Sequence, residues 1–514
     1  MKAVFVLFDS LNRHMLGPYG GKRVPTPAFD RLARRCVTFD KHYVGSLPCM
    51  PARRDILSGR LSFLHRSWGP MEPFDNAFPE LLHQAGVYSH LITDHFHYWE
   101  DGGATYHNRY DSYEFVRGQE GDRWKAMVQP HWERLREMYH ADQFTTERRK
   151  YKSQNVINRQ FIKEEKDFPS FKCFEHAFDF LDRNRETDGW LMHLELFDPH
   201  EPFFAPARFK KPFDTGWTGP VLDWPRYGRV DQLPEECEEL RANYYALMAF
   251  CDDLLGRLLD YFDRHDLWRD TALILTTDHG FLLGEHDFWA KNRMNLYEEI
   301  VHIPLFAHDP RRTRGGERVS ALTQAIDIAP TVLDLFGVAA PPEMEGHNLL
   351  PVNRPGPQRQ AAIFGYFGGA VNVTDGRYTY HRFPADLHHQ EVYQYTVMPT
   401  HIFSLFTPEE LAQASLSEAF PFTKGARLLR IPVIDRSPMY NNYGPGAFIE
   451  SDTRLYDLQD DPGQERPIRD GTEEGRLMRL MAEIMAANDA PPEAFRRLGI
   501  AVPGTVEARP ARVG

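Results

Sequence analysis

The run Val4–Asp9, which reads Val-Phe-Val-Leu-Phe-Asp, decides the fold class of the chain. Five consecutive apolar residues, most of them strong β-formers, predict a strand that is buried on both faces of a parallel sheet. Asp9 follows directly at the carboxyl end of this strand. Ligands of open α/β sheets collect outside the carboxyl ends of the strands, so Asp9 is a candidate ligand.

Alternating strands and helices continue outward from this run. Thr26-Pro27 predicts a helix start that leads into Ala28–Arg35. Further apolar and periodic stretches predict three strands and one long amphipathic helix, at Val87–Thr93, Trp190–Phe197, Ala272–Thr277 and Asn243–His265. We therefore predict an α/β fold with a large mixed, mostly parallel sheet flanked by helices.

From about residue 350 the sequence changes in character. Pro351–Gln358 predicts a linker, and shorter strand-like runs follow at Ala361–Gly365 and Arg377–Arg382. We predict a main domain over 1–355 and a smaller C-terminal α+β domain over 356–514. Two stretches, 101–166 and 384–442, are predicted to be insertions of unassigned role, and the second is a candidate subunit contact in a homo-oligomer.

Composition and charge exclude several classes of protein. A net charge of −13 and a pI near 6.0 over 514 residues argue against a nucleic-acid or anionic-membrane partner. The five cysteines are an odd, sparse set without close pairs, so neither a disulfide framework nor a zinc site is expected. The N-terminal apolar run is too short for a signal peptide, and no stretch approaches the roughly 20 apolar residues of a membrane span. A cytoplasmic location is therefore expected.

The segment from Ser46 to Arg60 carries the strongest chemical signal. It contains Cys49, Pro51 and Arg53, followed by Leu-Ser-Gly at residues 57–59. The pattern predicts a polar turn that enters a helix, where the positive helix end and Arg53 would lower the pKa of a thiol. From these residues alone, a reactive cysteine and a packed cysteine beside a structural arginine both remain open.

Cys49-x-Pro51-x-Arg53 followed by Leu57-Ser58-Gly59 resembles the signature of the sulfatase family, in which the cysteine is oxidised to formylglycine. The resemblance is collinear over most of the chain. It includes Asp9-Ser10-Leu11 near the start, Thr277-Asp278-His279-Gly280 with Lys291 further on, and Leu455-Tyr456-Asp457-Leu458 near the end. It implies the fold of the alkaline phosphatase superfamily, with residues 1–355 as the catalytic domain.

The resemblance also implies a metal site and a modification. Asp9, Asp278, His279 and the modified Cys49 are expected to hold one divalent cation. Oxygen-rich ligands favour Ca²⁺, while the histidine leaves Mg²⁺ and Mn²⁺ open. A formylglycine-generating enzyme is expected to convert Cys49.

The expected catalytic residues are Cys49, Arg53, His200 and Lys291, and the expected substrate-binding residues are His95, His200 and Lys291. The alternative readings are a salt bridge for Arg53, a solvated lysine for Lys291 and a histidine that orders a proline turn for His200. Arg53 is expected to hydrogen-bond the formylglycine hydroxyls. His200 is expected to donate a proton to the leaving oxygen or to hold the sulfate.

The sequence departs from the family pattern at two places. Ser10 stands where the family commonly has a second acidic or amide ligand, so Ser10, water or Asn12 are alternatives for completing the metal shell. Asp94-His95 stands where sulfatases often present a lysine and a histidine, and it is expected to change the charge that faces the substrate.

Hydrolysis of a sulfate monoester, first of all an aryl sulfate, is the leading functional expectation. Its nearest alternative is a phosphonate monoester or phosphodiester hydrolase that uses the same formylglycine and metal site. A catalytically silent binding protein with this fold is the third reading, which the complete set of reactive residues disfavours. The expected partners are a small-molecule sulfate ester and the formylglycine-generating enzyme.

Overall fold

The computed structural model describes residues 1–144, 150–312, 314–350 and 359–504. Its centre is an eight-stranded sheet in which, among the described strands, Leu305–His308 alone runs antiparallel to its neighbours. The predicted mixed, mostly parallel sheet is therefore confirmed. The order across the sheet is Arg318–Gln324, Val37–Tyr43, Leu305–His308, Thr271–Thr277, Lys2–Phe8, Trp190–Leu196, Tyr88–Thr93 and Ser112–Phe115.

The strand Lys2–Phe8 lies near the middle of this sheet and divides its two cores. Val4, Val6 and Phe8 pack into one core and Ala3, Phe5 and Leu7 into the other, because side chains alternate along a strand. Helices cover both faces. Pro27–Arg35, Pro169–Asn184 and Pro234–Arg264 lie on the first, and Cys49–Ser58, Phe78–Gln84 and Ile328–Leu335 on the second.

The long helix Pro234–Arg264 begins nine residues before the predicted start at Asn243. The first two turns are dominated by glutamates, so the apolar stripe used for the prediction is weak there. Pro234 at the first helical position and acidic residues Glu235 and Glu236 in the first turn favour a helix start by their fixed φ and by the helix dipole. Cys251, which lies on this helix, is buried in the hydrophobic core of the protein, as expected.

A second, five-stranded sheet carries the C-terminal part of the chain. Helices Gly471–Ala487 and Pro492–Leu498 contribute to its core, so this part is α+β as expected. Its order is Arg454–Asp457, Tyr378–Arg382, Val371–Thr374, Ala362–Tyr366 and Ser46–Leu47. The last strand comes from the N-terminal part and stands just before Cys49, so this sheet anchors the segment of the candidate nucleophile. The division at residue 355 stays a prediction, and the predicted linker Pro351–Gln358 lies outside the described residues.

The two predicted insertions have distinct structures. The segment 101–166 adds the edge strand Ser112–Phe115 and helices Ala104–His107, Trp132–Met138 and Tyr151–Asn158. The segment 384–442 includes helix Pro408–Ala412 and the three-stranded sheet Tyr393–Thr396, Leu429–Pro432 and Ser415–Leu416. Another small sheet joins Gly228–Arg229, Phe288–Ala290 and Leu282–Leu283, and the other short helices are Ala207–Lys210, Glu298–Val301 and Tyr440–Tyr443.

All five cysteines are unpaired and buried, in agreement with the expectation of no disulfide framework. In the part of the chain that the structure describes, no helix is both long and apolar enough to cross a membrane.

Candidate active site and metal centre

Neighbouring parallel strands bring the candidate residues to one edge of the large sheet. Lys2–Phe8 leads into Asp9, Thr271–Thr277 into Asp278 and His279, and Tyr88–Thr93 into His95. Cys49 is the first residue of helix Cys49–Ser58, and its side chain lies close to those of Asp9, Asp278 and His279. Gly280 lets the segment after Asp278 and His279 pass close to Glu299, because a Cβ atom there would lie 1.9 Å from the carbonyl oxygen of Glu299.

Asp9, Cys49, Asp278 and His279 form one buried group, whose ligand atoms lie within 4.8 Å of one another. The Nδ1 atom of His279 is 3.0 Å from the carbonyl oxygen of Gly280, so Nδ1 carries the proton. The lone pair of Nε2 faces the group, 3.3 Å from Sγ of Cys49. Burial lowers the pKa of His279 to about 3 and keeps the ring neutral. Two carboxylates and a neutral imidazole fit a divalent cation.

Arg53 holds the acidic residues of this group in place. Its guanidinium donates to Asp278 at 2.6 Å, to Asp9 at 2.9 Å and to Glu195 at 2.5 Å. A fourth bond, of 3.1 Å, reaches the carbonyl oxygen of Cys49 rather than its side chain. Burial disfavours the charge of Arg53, but the three carboxylates outweigh it and raise its pKa further. Arg53 is therefore a buried cation that binds three carboxylates beside Cys49, and its expected hydrogen bonds to formylglycine hydroxyls stay a prediction.

The thiol of Cys49 does not have the lowered pKa that the sequence predicts. Burial and the negative charge of Asp9 raise its pKa well above the usual range, against the opposite effects of Lys291 and Arg53. The helix end and one arginine suggested a thiolate, but the sequence could not show the carboxylates that surround the sulfur. An unmodified Cys49 is thus a protonated, weakly nucleophilic thiol at neutral pH.

Lys291 points at the same sulfur atom. Its Nζ atom lies 3.5 Å from Sγ of Cys49 and donates to Oγ of Ser10 at 3.0 Å. Burial opposes the charge of Lys291, but Cys49, Glu201 and Asp9 raise its pKa, so it is charged. Lys291 is therefore a buried cation next to Cys49, and its contact with a substrate stays a prediction.

Ser10 and Asn12, the alternatives for completing the metal shell, both have hydrogen-bond partners within the protein. The hydroxyl of Ser10 donates to Oδ1 of Asp9 at 2.8 Å and accepts from Lys291, so it links a metal-ligand candidate to the cation. Asn12 turns away, because its amide donates to the carbonyl of Phe281 and its oxygen accepts from the backbone of His14. Cys49 is the fourth side chain of the buried group, and its role as a metal ligand stays a prediction.

His95 and His200 are two further buried histidines at this edge of the sheet. Nε2 of His95 is 3.7 Å from Oδ2 of Asp9, and neither ring nitrogen of this buried histidine has a hydrogen-bond partner in the described residues. His200 donates from Nδ1 to the carbonyl of Glu201 at 2.6 Å, and burial lowers its pKa to about 4. His200 is therefore neutral with an unprotonated Nε2, and an anionic ligand beside it would favour its protonation.

Asp94 does not face this space, which corrects the expectation from the sequence. Its carboxylate accepts from the backbone of Phe197 at 2.7 Å and from Gln119 at 3.0 Å. Gln119 also donates to Asp198 at 3.1 Å, and Ser170 donates to both aspartates. Burial raises the pKa of Asp94 to about 8, with a further contribution from Asp198, whose own pKa burial raises to about 6. Through Gln119 and Ser170, Asp94 and Asp198 connect the loops that carry His95 and His200.

Two groups of site residues were missed in the sequence. Glu195 binds Arg53 and accepts from the hydroxyl of Tyr98 at 2.8 Å. The sequence contained a signal for Glu195, because a glutamate inside an apolar strand that is buried on both faces needs a buried partner. Glu120 and Glu201, by contrast, lie in irregular segments next to the site, where no periodic pattern marks a buried carboxylate.

A cavity of about 420 Å³ lies beside the loop of Glu120. Its walls are aromatic and charged, with Phe96, Trp99, Glu100, Gly121, Tyr151 and Phe403 among them. Glu100 accepts from His97 at 2.6 Å and from Tyr151 at 3.4 Å. The insertion 101–166 therefore contributes walls near the site.

The family model named Sulfatase matches residues 2–338 of the chain. A second model, described as N-sulphoglucosamine sulphohydrolase, C-terminal, matches residues 284–417. An N-acetylglucosamine-6-O-sulfatase of Bacteroides thetaiotaomicron is 24% identical over 422 residues, which are 71% of this chain and 74% of the relative. The sulfatase resemblance is therefore confirmed.

Two solved structures share the fold. One is a protein in complex with its substrate D-glucosamine-2-N,6-O-disulfate, with a TM-score of 0.66 and 18% identity over 96% of this chain and 99% of that one. The other is a phosphonate monoester hydrolase from Silicibacter pomeroyi, with a TM-score of 0.63 and 19% identity over 96% of both chains. The resemblance in fold includes the smaller C-terminal part.

Proposed function

Because the chain belongs to the sulfatase family, whose homologues are sulfuric ester hydrolases, we propose that it hydrolyses a sulfate monoester with a formylglycine made from Cys49. The observation that carries the proposal is the position of Cys49. Its sulfur lies among Asp9, Asp278 and His279, with Lys291 at 3.5 Å. An aryl sulfate is the first substrate to test.

The raised pKa of Cys49 supports the modification. A protonated, buried thiol is a poor nucleophile, whereas the hydrate of formylglycine offers two hydroxyls, one to attack sulfur and one to release sulfate afterwards. A formylglycine-generating enzyme is the proposed partner for the conversion. It acts before folding is complete, because the Cys49 side chain is buried in the folded chain.

Asp9, Asp278 and His279, with the modified Cys49, would hold one divalent cation, and we propose Ca²⁺, with Mg²⁺ or Mn²⁺ as alternatives. The cation would supply Lewis-acid polarisation of sulfate oxygens. Arg53 keeps the two aspartates oriented and offsets part of their charge.

The other residues act on the substrate. Lys291 neutralises the sulfate oxygens next to the nucleophile. His95 offers a ring nitrogen without a partner to a sulfate oxygen, and His200, once protonated beside the anion, gives its proton to the leaving oxygen. His200 starts neutral, so proton donation depends on the substrate being bound.

The alternative function is hydrolysis of a phosphonate monoester or phosphodiester at the same residues. Asp94 does not bear on this choice, because it is turned away from the substrate space. The number of cations near Cys49 does not separate the two functions, because sulfate monoesters, phosphonate monoesters and phosphodiesters each carry one negative charge at neutral pH. The match to the sulfatase family is what favours sulfate.

One preparation of the protein, loaded with Ca²⁺, tests the proposal on 4-nitrophenyl sulfate, phenyl phosphonate 4-nitrophenyl ester and bis(4-nitrophenyl) phosphate. We expect the largest kcat/KM for the sulfate. A kcat/KM that strongly favours either phosphorus ester would overturn the sulfatase assignment in favour of the alternative. We further propose a cytoplasmic site of action.

A further inference from the structure

Glu120 is a buried carboxylate without a partner. Its side chain is 8% exposed, its Oε2 atom has no hydrogen bond, and no cation of the described residues lies within ion-pair distance of it. Its backbone has a φ of +40°, and its carbonyl oxygen accepts from Asn155 at 3.2 Å. A buried carboxylate in this state is costly unless a ligand completes it.

Glu201 presents a second incomplete carboxylate next to it. The residue is 1% exposed, its Oε1 accepts from the hydroxyl of Tyr227, and its Oε2 has no hydrogen bond. His200 Nδ1 is 3.3 Å from Oε2, but its proton is directed to the carbonyl oxygen of Glu201. An acceptor atom is therefore left free on Glu201 as well.

The loops of the two glutamates are packed together beside His200. Gln119, which precedes Glu120, donates to Asp198 at 3.1 Å, and Glu201 lies 3.3 Å from Nδ1 of His200. Burial and then the negative charge of Glu201 raise the pKa of Glu120 well above its usual range, while Lys291 acts in the opposite direction. Lys291 cannot serve as its counter-ion, because its amino group is bound to Ser10 and directed at Cys49. A positive charge that enters with the substrate would satisfy both glutamates.

The chemistry of the surroundings favours an organic cation over a second metal ion. Glu120 and Glu201 belong to no group of three or more metal-ligating side chains within the described ranges. Aromatic rings stand close by instead. The hydroxyl of Tyr227 donates to Glu201. The ring of Tyr443 is stacked on Trp68 with the ring centroids 4.0 Å apart. Burial, Cys49 and Glu120 all contribute to raising the pKa of Tyr443. Carboxylates combined with aromatic rings suit an alkylammonium group.

We propose that Glu120 and Glu201 bind a positively charged ammonium group on the alcohol portion of the sulfate ester. The proposal deepens the proposed function and rests on it. It makes the substrate zwitterionic, with the sulfate at Cys49 and Lys291 and the ammonium group at the opposite wall.

A pair of esters of equal shape tests this selectivity without turnover. The 2-(trimethylammonio)ethyl and 3,3-dimethylbutyl sulfates differ by one positive charge. Their binding to the Ca²⁺-loaded Cys49→Ala protein is measured by calorimetry, and 2-aminoethyl sulfate distinguishes a quaternary from a primary ammonium. We expect a preference of about 10- to 100-fold for the ammonium ester over the neutral ester, the range of a charge-assisted contact in a buried site.

Two variants test whether Glu120 causes the preference for the ammonium ester. Glu120→Gln, made in the Cys49→Ala background, keeps the shape of the side chain and is expected to reduce the preference at least about fivefold. Glu114→Gln, an exposed glutamate six positions earlier, is the matched control and should leave it unchanged. Equal binding of both esters, or a preference that survives Glu120→Gln, would overturn the proposal.

The failure of this proposal is distinguishable from failure of the proposed function. If aryl sulfates are hydrolysed in a Cys49-dependent manner but the two alkyl esters bind equally, the cation site is wrong and the sulfatase assignment stands. If the ammonium ester is preferred in binding but no sulfate ester is turned over, the cation site stands and the reaction is wrong.

Discussion

The two walls of the site differ in how their buried charges are satisfied. On the nucleophile side, Arg53 is bonded to Asp9, Glu195 and Asp278, and Lys291 is bonded to Ser10. On the opposite side, His95 and Glu120 have side-chain atoms without partners among the described residues. Buried polar groups are normally paired, so the first wall is complete without substrate and the second is completed by it. Removal of Arg53 should therefore affect the fold, whereas a change at Glu120 should affect ligand selectivity.

The largest effect is expected for the nucleophile itself. Cys49→Ala should lower kcat for sulfate-ester hydrolysis by about 10⁴-fold or more, because no other side chain can take over covalent catalysis. The melting temperature should stay close to that of the parent. Cys251→Ala is the matched control, since it removes a buried core thiol far from the chemistry. It should cost about 1–2 kcal/mol in unfolding free energy and leave kcat intact. Comparable activity in Cys49→Ala would place the nucleophile elsewhere.

Removing Arg53 tests whether the first wall is structural. Arg53→Ala leaves three buried carboxylates unpaired and should lower the free energy of unfolding by about 3–5 kcal/mol, along with loss of turnover. Urea denaturation measures the stability. The exposed Arg269→Ala should change it by less than about 0.5 kcal/mol. An Arg53→Ala protein as stable as the parent would mean that the three ion pairs do not maintain the wall.

Ser10→Ala is expected to have an intermediate effect. It removes the hydroxyl that links Asp9 to Lys291, so the amino group of Lys291 loses one of its anchors. We expect kcat/KM to fall about tenfold, mainly through kcat, while stability changes by about 1 kcal/mol. Steady-state kinetics separate the two parameters, and the exposed Ser451→Ala serves as the control. Loss of bound metal from Ser10→Ala in elemental analysis would show that Ser10 is a ligand after all.

The smallest effect is expected for the pH dependence of stability that Asp94 causes in the loops of His95 and His200. The pKa of Asp94, raised by burial to about 8, lies above that of an unfolded aspartate, so Asp94 takes up a proton on folding. This stabilisation is complete below about pH 4 and is lost as the pH rises toward 8. Between pH 5 and 8 the parent should lose stability relative to Asp94→Asn, by at most about 1.4 kcal/mol per pH unit.

Urea denaturation of both proteins across this pH range gives the difference, with the exposed Asp214→Asn as the control. Parallel stability curves for the parent and Asp94→Asn would show that Asp94 is ionised in the folded protein at all these pH values.

The sequence predicted the frame of the site better than its details. Val4–Phe8 and Ala272–Thr277 are apolar runs whose period and length identify buried strands, and the residues after them lie together because the strands are parallel. The pKa of Cys49 was predicted wrongly, and the sequence could not choose among Ser10, water and Asn12 for the metal shell. Both depend on which side chains from distant segments approach, such as Asp9 near the thiol and Phe281 near the amide. Local patterns do not encode those distances.

The irregular segments were the least predictable. Glu120 lies in a part of the insertion 101–166 that is neither helix nor strand, and Tyr443 ends the helix Tyr440–Tyr443, which is too short to show a periodic pattern. Their positions are set by tertiary contacts such as the stacking of Tyr443 on Trp68. The substrate wall is therefore the part of the site that only the folded structure reveals.

The most direct test of the central claim is the mass of the tryptic peptide that contains Cys49, isolated from protein that hydrolyses an aryl sulfate. Conversion of the thiol to formylglycine predicts a mass about 18 Da below that of the unmodified peptide. An intact thiol at Cys49 in fully active protein would contradict the account.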